Sequence, residues 1–443
     1  MKHSFTPVSQ RKQLDLARKP LLAAIMGILL LAGSFTVHAT SVIKMKTMRQ
    51  PNGEITILVR GNGPFQVEGA TPATIGSGEV TLKLTSQNVS LSGDINYLNC
   101  SENDLETLDV TGCQSLTELE CYENSLTKLP LDKNEKLINL TCDYNPIDTL
   151  DLSHNPHLQN LLCPNNSLKY LNLENNKELK ALYCFSNQLV EIKLTNDNNL
   201  EEILCSSNEI HSLDLQGCKN LQLLECYYNY IETLNLANCK QLTKLSANGN
   251  SLKELDLSSN PKLVELSCAG NELSSITLPQ NAALLAITCF NNTIQGEAMK
   301  NLMNSLPDIK GKNIVGDGGG EIIIVNTPNQ EDNRCYKSDV AIATAKGWKV
   351  MDFNGNYTER KAYVGENDPS GVYSISSLQG IAVKVLDRTI AIDGDFDKAT
   401  LYNVNGQQLI STQAHEINAA SAGVYVLCIE KKGNSHTCKV LVK

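Results

Sequence analysis

The chain has 443 residues, enough for two or three domains with a large core, and its 41% hydrophobic and 19% charged residues are typical of a globular protein. Its formal net charge is −10, and because residues 1–39 carry five basic side chains and one Asp, the rest of the chain carries −10 − 4 = −14. Such an acidic chain has no basic stripe to neutralise phosphates, which excludes nucleic acid as the expected partner.

The N-terminus has the order of segments that is typical of a secretory signal peptide. Four basic residues precede the apolar run of residues 21–31, and small residues around Ala39 provide a cleavage point. The alternative is a membrane anchor, but the run is shorter than the roughly 20 residues that span a bilayer, and no second apolar stretch follows it. We therefore expect residues 1–39 to be removed on export, without lipid attachment and with no transmembrane span in the mature chain.

Residues 40–94 are predicted to form an N-terminal β-cap. Hydrophobic and polar residues alternate over 54–60 and over 80–84, as in strands with one buried face. Such a cap would close one end of the repeats that follow, because a stack of repeats needs protected ends.

Ten copies of a 21-residue unit run from Leu98 to Leu306. Asn holds one position in all ten copies: Asn103, Asn124, Asn145, Asn166, Asn187, Asn208, Asn229, Asn250, Asn271 and Asn292. Repetition at this period marks a solenoid, in which a coil buries its apolar face only when its neighbours stack on it. The unit matches the leucine-rich pattern L-x-x-L-x-L-x-x-N-x-L, with cysteine in the third apolar place. We therefore predict a β-rich leucine-rich repeat solenoid over residues 95–294, with about ten coils and a parallel sheet on the concave face.

Nine of the fifteen cysteines occupy one repeat position: Cys100, Cys121, Cys142, Cys163, Cys184, Cys205, Cys226, Cys268 and Cys289, with Ala247 in the remaining copy. That position faces the interior in the leucine-rich pattern, and Ala247 indicates that it requires small size and not sulfur chemistry. We expect free, buried thiols, because the Cβ vectors of stacked residues run parallel and hold the Cβ atoms farther apart than the about 3.8 Å of a disulfide. The sequence leaves open the redox state of two other pairs, Cys218 with Cys239 and Cys428 with Cys438.

Within each unit, the Leu-x-Cys segment is predicted to be a short strand whose side chains alternate between interior and surface. The amide of the following Asn is expected to bond unpaired backbone groups of the next coil. The second half of the unit is too short and too polar for a full helix, so we expect it to be extended or 3₁₀.

Residues 295–363 are predicted to form a divergent β/α cap at the other end of the repeats. One amphipathic helix is indicated by four apolar residues at helical spacing: Met299, Leu302, Met303 and Leu306. A strand is expected over 322–325 and a second helix over 338–346. The Gly-rich loop 316–320 lacks the Lys-Ser/Thr of a phosphate-binding loop and precedes a strand, so it is interpreted as a turn.

Residues 364–371 have the composition of a linker, and residues 372–443 are predicted to form a small antiparallel β-sandwich. Strands are expected over 373–376, 381–386, 389–392, 399–403, 408–411, 423–430 and 437–442. Asp393, Asp395 and Asp397 alternate as in a calcium loop, but Lys398 stands where the turn needs Gly, and no acidic residue ends the loop. We therefore expect no calcium there, and no metal or cofactor elsewhere in the chain.

The repeats resemble those of bacterial leucine-rich repeat surface proteins of the internalin type, in particular the subset with a cysteine ladder. The resemblance covers residues 98–306, about half of the chain, and depends on the Leu, Cys and Asn positions described above. It implies a surface module that binds host or matrix partners through its concave face.

The C-terminal domain resembles the sorting domain of type IX secretion substrates. Three segments match it in order and spacing: 402–407, 422–425 and 439–443. The resemblance implies a β-sandwich that guides passage across the outer membrane, with Gly406, Gly423, Tyr425, Lys439 and Lys443 as the sorting signal. It also implies a product that is secreted or held on the outer-membrane surface of a Gram-negative bacterium.

Aromatic residues concentrate at outward positions of the predicted concave strands. Seven of the twenty-two Phe, Tyr and Trp residues lie there: Tyr122, Tyr144, Tyr183, Phe185, Tyr227, Tyr228 and Phe290. Exposed rings favour protein or carbohydrate partners, although cross-strand packing alone would also explain them. Glutamates predicted on the same face would favour a basic or hydroxyl-rich partner: Glu118, Glu120, Glu123, Glu202, Glu225 and Glu265.

The resulting hypothesis is a non-enzymatic cell-surface binding module, and a candidate adhesin, whose partner is a host or bacterial surface protein or a glycan. The alternative is a structural spacer or envelope component without a specific ligand. A hydrolase is the least favoured interpretation, because the sequence has no nucleophile elbow, no H-E-x-x-H pair and no Cys/His constellation.

Overall fold

The structure is a computed structural model that describes residues 41–442, except 197, 281–282, 313–319, 330, 357, 369–371, 375–380 and 387. The predicted signal peptide, most of the Gly-rich loop and Lys443 lie outside the described residues. Within the described part, no helix is both long enough and apolar enough to cross a membrane.

An antiparallel sheet forms the N-terminal part, with strands β1 (Val42–Thr47), β2 (Glu54–Glu68), β3 (Ala70–Thr71), β4 (Thr74–Ile75), β5 (Gly78–Leu84), β6 (Asn88–Asn99) and β7 (Leu105–Asp109). Strand β2 pairs with β5 and β6, and β1 pairs with β6 and β7. Alternate residues of β2, such as Ile55 and Ile57, point into the core. The last residues of β6, from Tyr97 to Asn99, pair in parallel with the next strand. Strand β6 therefore joins the antiparallel part to the repeats.

The repeats build one parallel sheet from three-residue strands: β8 (Glu118–Glu120), β9 (Asn139–Thr141), β10 (Asn160–Leu162), β12 (Ala181–Tyr183), β14 (Glu202–Leu204), β15 (Leu223–Glu225), β16 (Lys244–Ser246), β18 (Glu265–Ser267) and β20 (Ala286–Thr288). Each residue pairs with the residue 21 positions later, as Leu119 does with Leu140. The central residue of every strand is buried. This β-solenoid of about nine turns confirms the predicted fold class.

The second half of each coil is mostly turn, where the sequence predicted extended or 3₁₀ segments. Short strands occur at two places, where β11 (Tyr170–Leu173) pairs with β13 (Glu191–Leu194) and β17 (Glu254–Asp256) pairs with β19 (Ser275–Thr277). Elsewhere, backbone hydrogen bonds of the 3₁₀ type close the turn, such as the one from Asn155 N to Leu152 O.

After the last repeat strand, the parallel sheet continues through two β/α units. They contain α1 (Glu297–Ser305), β21 (Glu321–Val325), α2 (Lys337–Ala345), β22 (Lys349–Asp352) and β23 (Lys361–Ala362). Strand β21 pairs in parallel with β20, and β22 pairs in parallel with β21. Helix α1 buries Met299, Leu302 and Met303, the face indicated by their spacing.

The segment with linker composition is attached to α2 in its first half. Glu366 O accepts a hydrogen bond from Lys337 N at 2.9 Å, and the Glu366 carboxylate pairs with Arg334 at 3.0 Å. Glu366 N also donates to Cys335 O at 3.0 Å, and the Asp368 carboxylate accepts a hydrogen bond from the Ser338 hydroxyl, so this half of the segment is hydrogen-bonded to the start of α2.

The C-terminal part consists of two four-stranded antiparallel sheets. One contains β24 (Val372–Ser374), β25 (Ala382–Leu386), β26 (Thr389–Asp393) and β29 (Glu416–Asn418), and the other contains β27 (Lys398–Asn403), β28 (Gln408–Thr412), β30 (Gly423–Lys431) and β31 (Asn434–Val442). Both sheets contribute to one hydrophobic core that is separate from that of the repeats. The predicted antiparallel sandwich is confirmed, and β29 is a strand that the sequence pattern did not indicate.

Candidate functional site

The interior of the repeats is lined by the predicted cysteine ladder. All nine ladder thiols and Ala247 are fully buried, and the thiols are free. Burial raises the pKa of Cys205 and Cys268 to about 12, and it raises the pKa of Cys142 and Cys163 well above the ordinary thiol value. A thiol that stays protonated is a poor nucleophile, so the ladder cysteines act as small hydrophobic side chains of the core and not as a reactive site.

The Asn position at the end of each repeat strand forms a hydrogen-bonded ladder. Asn145 Oδ1 accepts from Leu126 N at 3.0 Å, and its Nδ2 donates to Cys121 O at 3.0 Å and to Cys142 O at 3.1 Å. Leu126 and Cys121 belong to the preceding coil, so the prediction that these amides bond the next coil was wrong in direction. The same contacts recur from Asn124 to Asn292.

The ladder continues beyond the regular repeats at Asn333. Its Oδ1 accepts from Ile294 N at 2.8 Å, and its Nδ2 donates to Cys289 O at 2.9 Å and to Ile324 O at 2.8 Å. Asn333 is therefore an eleventh ladder residue, displaced in sequence because α1 and β21 are inserted before it. The 21-residue period gave no signal for it.

A second ladder, on the other side of the coil, was also missed by the sequence analysis. Its position holds Cys113, Asn134, Asn155, Asn176, Cys218, Cys239 and Asn260, and all of them are buried. The Asn155 Nδ2, for example, donates to Leu131 O and Asn134 O at 3.2 and 2.9 Å. Cys218 and Cys239 thus take the place of ladder amides, and both are free thiols.

The other open cysteine pair lies in the hairpin of β30 and β31. Cys428 is opposite Thr437, whereas Cys438 is opposite Leu427. Since successive residues of a strand point to opposite faces, the two thiols lie on different sides of the sheet. Both are free in the structure.

One residue before each ladder Asn, the backbone adopts a left-handed conformation in ten consecutive coils. The φ values lie between 50° and 64° at Glu102, Glu123, Tyr144, Asn165, Ser186, Ser207, Tyr228, Gly249, Gly270 and Asn291. Eight of these residues are not glycine, and they are held there against a local preference for negative φ. The Tyr228 ring lies over Gly249, where a Cβ atom would come within 2.6 Å of it. This turn fixes the direction of the side chains around it.

The surface that we call the outer face is the side of the parallel sheet that bears residues 118, 120, 122 and their equivalents in the other coils. It is accessible to solvent along its length, because the first residue of each repeat strand is half-exposed or exposed: Glu118, Asn139, Asn160, Ala181, Glu202, Leu223, Lys244, Glu265 and Ala286. Five of the seven predicted aromatic residues are half-buried on this face or in the adjoining turn: Tyr122, Tyr144, Tyr183, Tyr228 and Phe290.

The other two aromatic residues, Phe185 and Tyr227, are not exposed contacts. Their exposed fractions are 1% and 8%, and the neighbouring outward residues Leu162 and Leu204 are equally buried. Strands that are about 4.8 Å apart bring outward side chains of adjacent coils into contact, so large side chains cover one another. The prediction that both rings are available to a partner was therefore wrong.

This burial gives a testable difference in stability. Replacing Phe185 by Ala should lower the free energy of unfolding by about 1.5–3 kcal/mol, the value of burying an aromatic side chain. The Tyr122→Ala variant should lose less, because that ring is half-exposed. Urea unfolding followed by circular dichroism measures both, and equal losses would contradict the assignment of Phe185 to the packed part of the face.

The glutamates of the outer face are engaged within the protein. The Tyr183 hydroxyl donates to Glu202, and the Tyr97 hydroxyl donates to Glu120 at 2.9 Å. Burial raises the pKa of both tyrosines, and the neighbouring carboxylates raise it further. Lys244 lies 3.6 Å from both Glu225 and Glu265. The face is therefore less acidic towards a partner than the sequence indicated.

The residues that the resemblance to sorting domains implies as the sorting signal lie on one sheet of the sandwich. Gly406 is in the turn between β27 and β28, Gly423 begins β30, and Lys439 is exposed on β31. Tyr425 is buried, and its hydroxyl donates to Ser421 O at 2.7 Å, so its role in this structure is packing. Lys443 lies outside the described residues.

The described residues contain no group of three or more His, Cys, Asp or Glu side chains that could hold a metal ion. In the acidic loop, Asp393 pairs with Lys384 at 2.8 Å, and the Asp397 carboxylate accepts a hydrogen bond from Lys432 N. These carboxylates are directed to different partners.

Comparison of the sequence with models of known families found no match, and comparison with curated protein sequences found none either. Solved structures with a similar fold include the functional domain of InlJ from Listeria monocytogenes, which includes a cysteine ladder (21% identity over 79% of this chain and 76% of that one, TM-score 0.38). A leucine-rich repeat protein of Leptospira interrogans is 19% identical over 58% of this chain and 71% of that one, with a TM-score of 0.41. A chain from the octameric complex of Latrophilin 3, Unc5D and the leucine-rich repeats of FLRT2 is 18% identical over 52% and 89%, with a TM-score of 0.36. At these identities the likeness concerns the fold alone.

Proposed function

We propose that this protein is an exported binding module that engages a protein or glycan on a host or bacterial surface through the outer face of its parallel sheet. The observation that carries the proposal is that this face is accessible on every repeat strand while its backbone is fixed on both sides by hydrogen-bonded turns. A surface whose side chains are already held in place loses little conformational entropy on binding.

The size of the outer face supports a macromolecular partner. Ten strand segments, from Tyr97–Asn99 to Ala286–Thr288, give nine intervals of about 4.8 Å, or about 43 Å in all. A four-residue width adds about 13 Å, so the face covers about 560 Å². This area approaches the roughly 800 Å² that each partner contributes to a standard interface.

Half-exposed tyrosines are the expected contacts with the partner. Tyr122 and Tyr144 belong to adjacent coils, and each presents an apolar ring with a polar tip. We keep all five half-buried aromatic residues of the face as candidate contacts. Phe185 and Tyr227 are removed from that set because they are covered.

Export and surface attachment are part of the same proposal. Residues 1–39 would direct export, and the C-terminal sandwich would act as the sorting domain, with its exposed Lys439 and the turn at Gly406 as the accessible part of the signal. The division of the chain at residues 94, 294, 363 and 371 stays a prediction. In this setting the module would act as an adhesin.

A spacer without a ligand is the second candidate function, and the burial of Phe185 and Tyr227 favours it, since these rings serve packing. The two functions separate in a binding screen of the purified chain against arrays of extracellular-matrix proteins and glycans. A spacer should capture nothing reproducibly.

The proposal predicts that the Tyr122→Ala and Tyr144→Ala double variant binds the captured partner at least about tenfold more weakly, because each truncated ring removes apolar contact area from the interface. Tyr230→Ala is the matched control, because Tyr230 is half-exposed in a turn away from the sheet and stacks on His211. Affinities are measured by surface plasmon resonance, and thermal unfolding confirms that the variants are folded. An unchanged affinity in the double variant would remove the outer face as the binding surface.

A further inference from the structure

A groove opens in the second half of the coils, away from the parallel sheet. Its volume is about 260 Å³, and it lies between residues 148–153 of one coil and Tyr170, Asn172 and Asn175 of the next. Leu150 and Leu152 are buried and contribute its apolar floor. The volume is below the roughly 300–1,000 Å³ of pockets that enclose drug-sized ligands, so it suits a single small ring.

Tyr170 stands at the rim of this groove with an exposed fraction of 65%, the largest of any tyrosine in the described residues. It is the first residue of β11, which pairs with β13 on one side only. The preceding coil places the small side chain of Thr149 at the equivalent position, and both residues line the groove. A single exposed aromatic residue is ordinary on a protein surface, but one that borders a cavity can serve as a platform for a ligand.

The polar lining of the groove offers both hydrogen-bond donors and acceptors. Asn172 uses its Oδ1 for Glu174 N, and Asn175 uses its Nδ2 for Ser153 O. Within the described part of the chain, this leaves the Asn172 Nδ2 as a donor and the Asn175 Oδ1 as an acceptor without a protein partner. Thr149 and Asp148 bond each other through Asp148 Oδ1, which leaves the second carboxylate oxygen available to a ligand.

We propose that this groove binds one neutral sugar ring of a glycan, with the apolar face of the ring stacked on Tyr170 and its hydroxyls bonded by Asn172, Asn175 and Asp148. A sugar is the ligand that needs an aromatic platform, an apolar floor and a mixed set of donors and acceptors at the same place. The site does not depend on the proposed function, because it lies on different residues from the outer face.

The charge of the groove selects against anionic sugars. Asp148 and Asp151 are in its lining, and the lining contains no Lys or Arg. Hydrogen bonds from the Ser153 side chain and backbone lower the pKa of Asp151, so this carboxylate stays ionised at neutral pH. A uronic acid, a sialic acid or a sulfated sugar would bring a second negative charge next to these carboxylates, which costs free energy.

The test is a titration of the full chain with neutral trisaccharides of glucose, galactose and mannose, followed by saturation-transfer NMR and calorimetry. At least one of them should bind, a trimer of galacturonic acid should not, and the Tyr170→Ala variant should weaken binding about tenfold. Tyr170→Phe should retain binding, since the ring face is kept, and Tyr230→Ala is the exposed-tyrosine control.

Three results would overturn the proposal: no binding of any neutral trisaccharide, equal binding of the wild-type chain and Tyr170→Ala, or preferential binding of the acidic trimer or of a lysine-rich peptide. The Tyr122→Ala and Tyr144→Ala double variant should bind the sugar normally. This variant separates the two proposals. If it loses partner capture but still binds the sugar, both proposals are supported. A failure of either measurement contradicts only the proposal that it tests.

Discussion

Raising the pH above about 8.5 should unfold this protein steeply. In the unfolded chain the ladder thiols lose their protons near their ordinary pKa of about 8.5. In the folded chain they keep them, because burial raises the pKa of Cys100, Cys205 and Cys268 to about 12 and raises that of the other ladder thiols well above the ordinary value. The stabilising effect is fully present below pH 8.5 and is lost as the pH rises towards 12.

The expected size of this loss is large. Each thiol lowers the free energy of unfolding by about 1.4 kcal/mol for each pH unit in that window, so nine thiols together give about 13 kcal/mol per unit. A typical folded domain has only about 5–15 kcal/mol of stability in total. We therefore expect the midpoint of alkaline unfolding within about one to two pH units above 8.5.

Urea unfolding at a series of pH values from 7 to 11, under reducing conditions, measures the slope. The Cys142→Ala and Cys163→Ala variants provide the control, since Ala247 already occupies the same position in another coil. Each should flatten the slope by the contribution of one thiol. A free energy of unfolding that stays constant up to pH 10.5 would show that the ladder thiols titrate normally and are not in a dry interior.

Replacing Asn145 by Ala should cost about 1–3 kcal/mol of stability. The substitution removes the acceptor for Leu126 N, which remains buried. It also removes one of the two amide donors to Cys121 O, which keeps its hydrogen bond from Asn124 Nδ2 at 3.0 Å. Each buried group without a partner costs about 1–3 kcal/mol. Asn145→Asp should be destabilising as well, because it places a carboxylate oxygen against the carbonyl oxygens of Cys121 and Cys142.

The matched control for this prediction is Asn238→Ala. Asn238 also donates through Nδ2 to a backbone carbonyl of the preceding coil, Gln216 O at 3.0 Å, but it is exposed, so water replaces the lost bond. Its free energy of unfolding should change by about 0.5 kcal/mol or less. If the two variants lose the same stability in urea, the ladder amides are ordinary surface contacts and the account of the coil turns fails.

The elements that follow the 21-residue period were predictable from the sequence. The interior places of Leu119 and Cys121, and the turn at Asn124, follow from spacing alone, because a residue repeated in every coil meets the same neighbours in each. Asn333 could not be found in this way. It performs the same task 41 residues after Asn292, and its position depends on a helix and a strand that interrupt the period.

The candidate site was less predictable than the fold. The alternation of side chains along a strand shows that Phe185 points outward, but it does not show what surrounds the side chain there. Pro164, Leu162 and Leu204, at outward positions of the neighbouring coils, are buried as Phe185 is, and this burial is visible only when the coils are stacked. The left-handed turn was indicated only weakly, by Gly249, Gly270, Asn165 and Asn291, because Glu, Tyr and Ser hold the same position in other coils.

The place of Asn333 bears on how such a molecule can acquire new parts. The alignment of adjacent coils is fixed by hydrogen bonds between ladder amides and the backbone. It does not require a fixed number of residues between two ladder positions, as the hydrogen bond from Asn333 to Cys289 O shows. Chain can therefore be added between two ladder positions, to the extent of a whole helix and strand, while the underlying scaffold keeps its order. The loops between coils are therefore positions that tolerate insertions. An inserted segment can add new surface there while the hydrogen-bonded stack of coils stays the same.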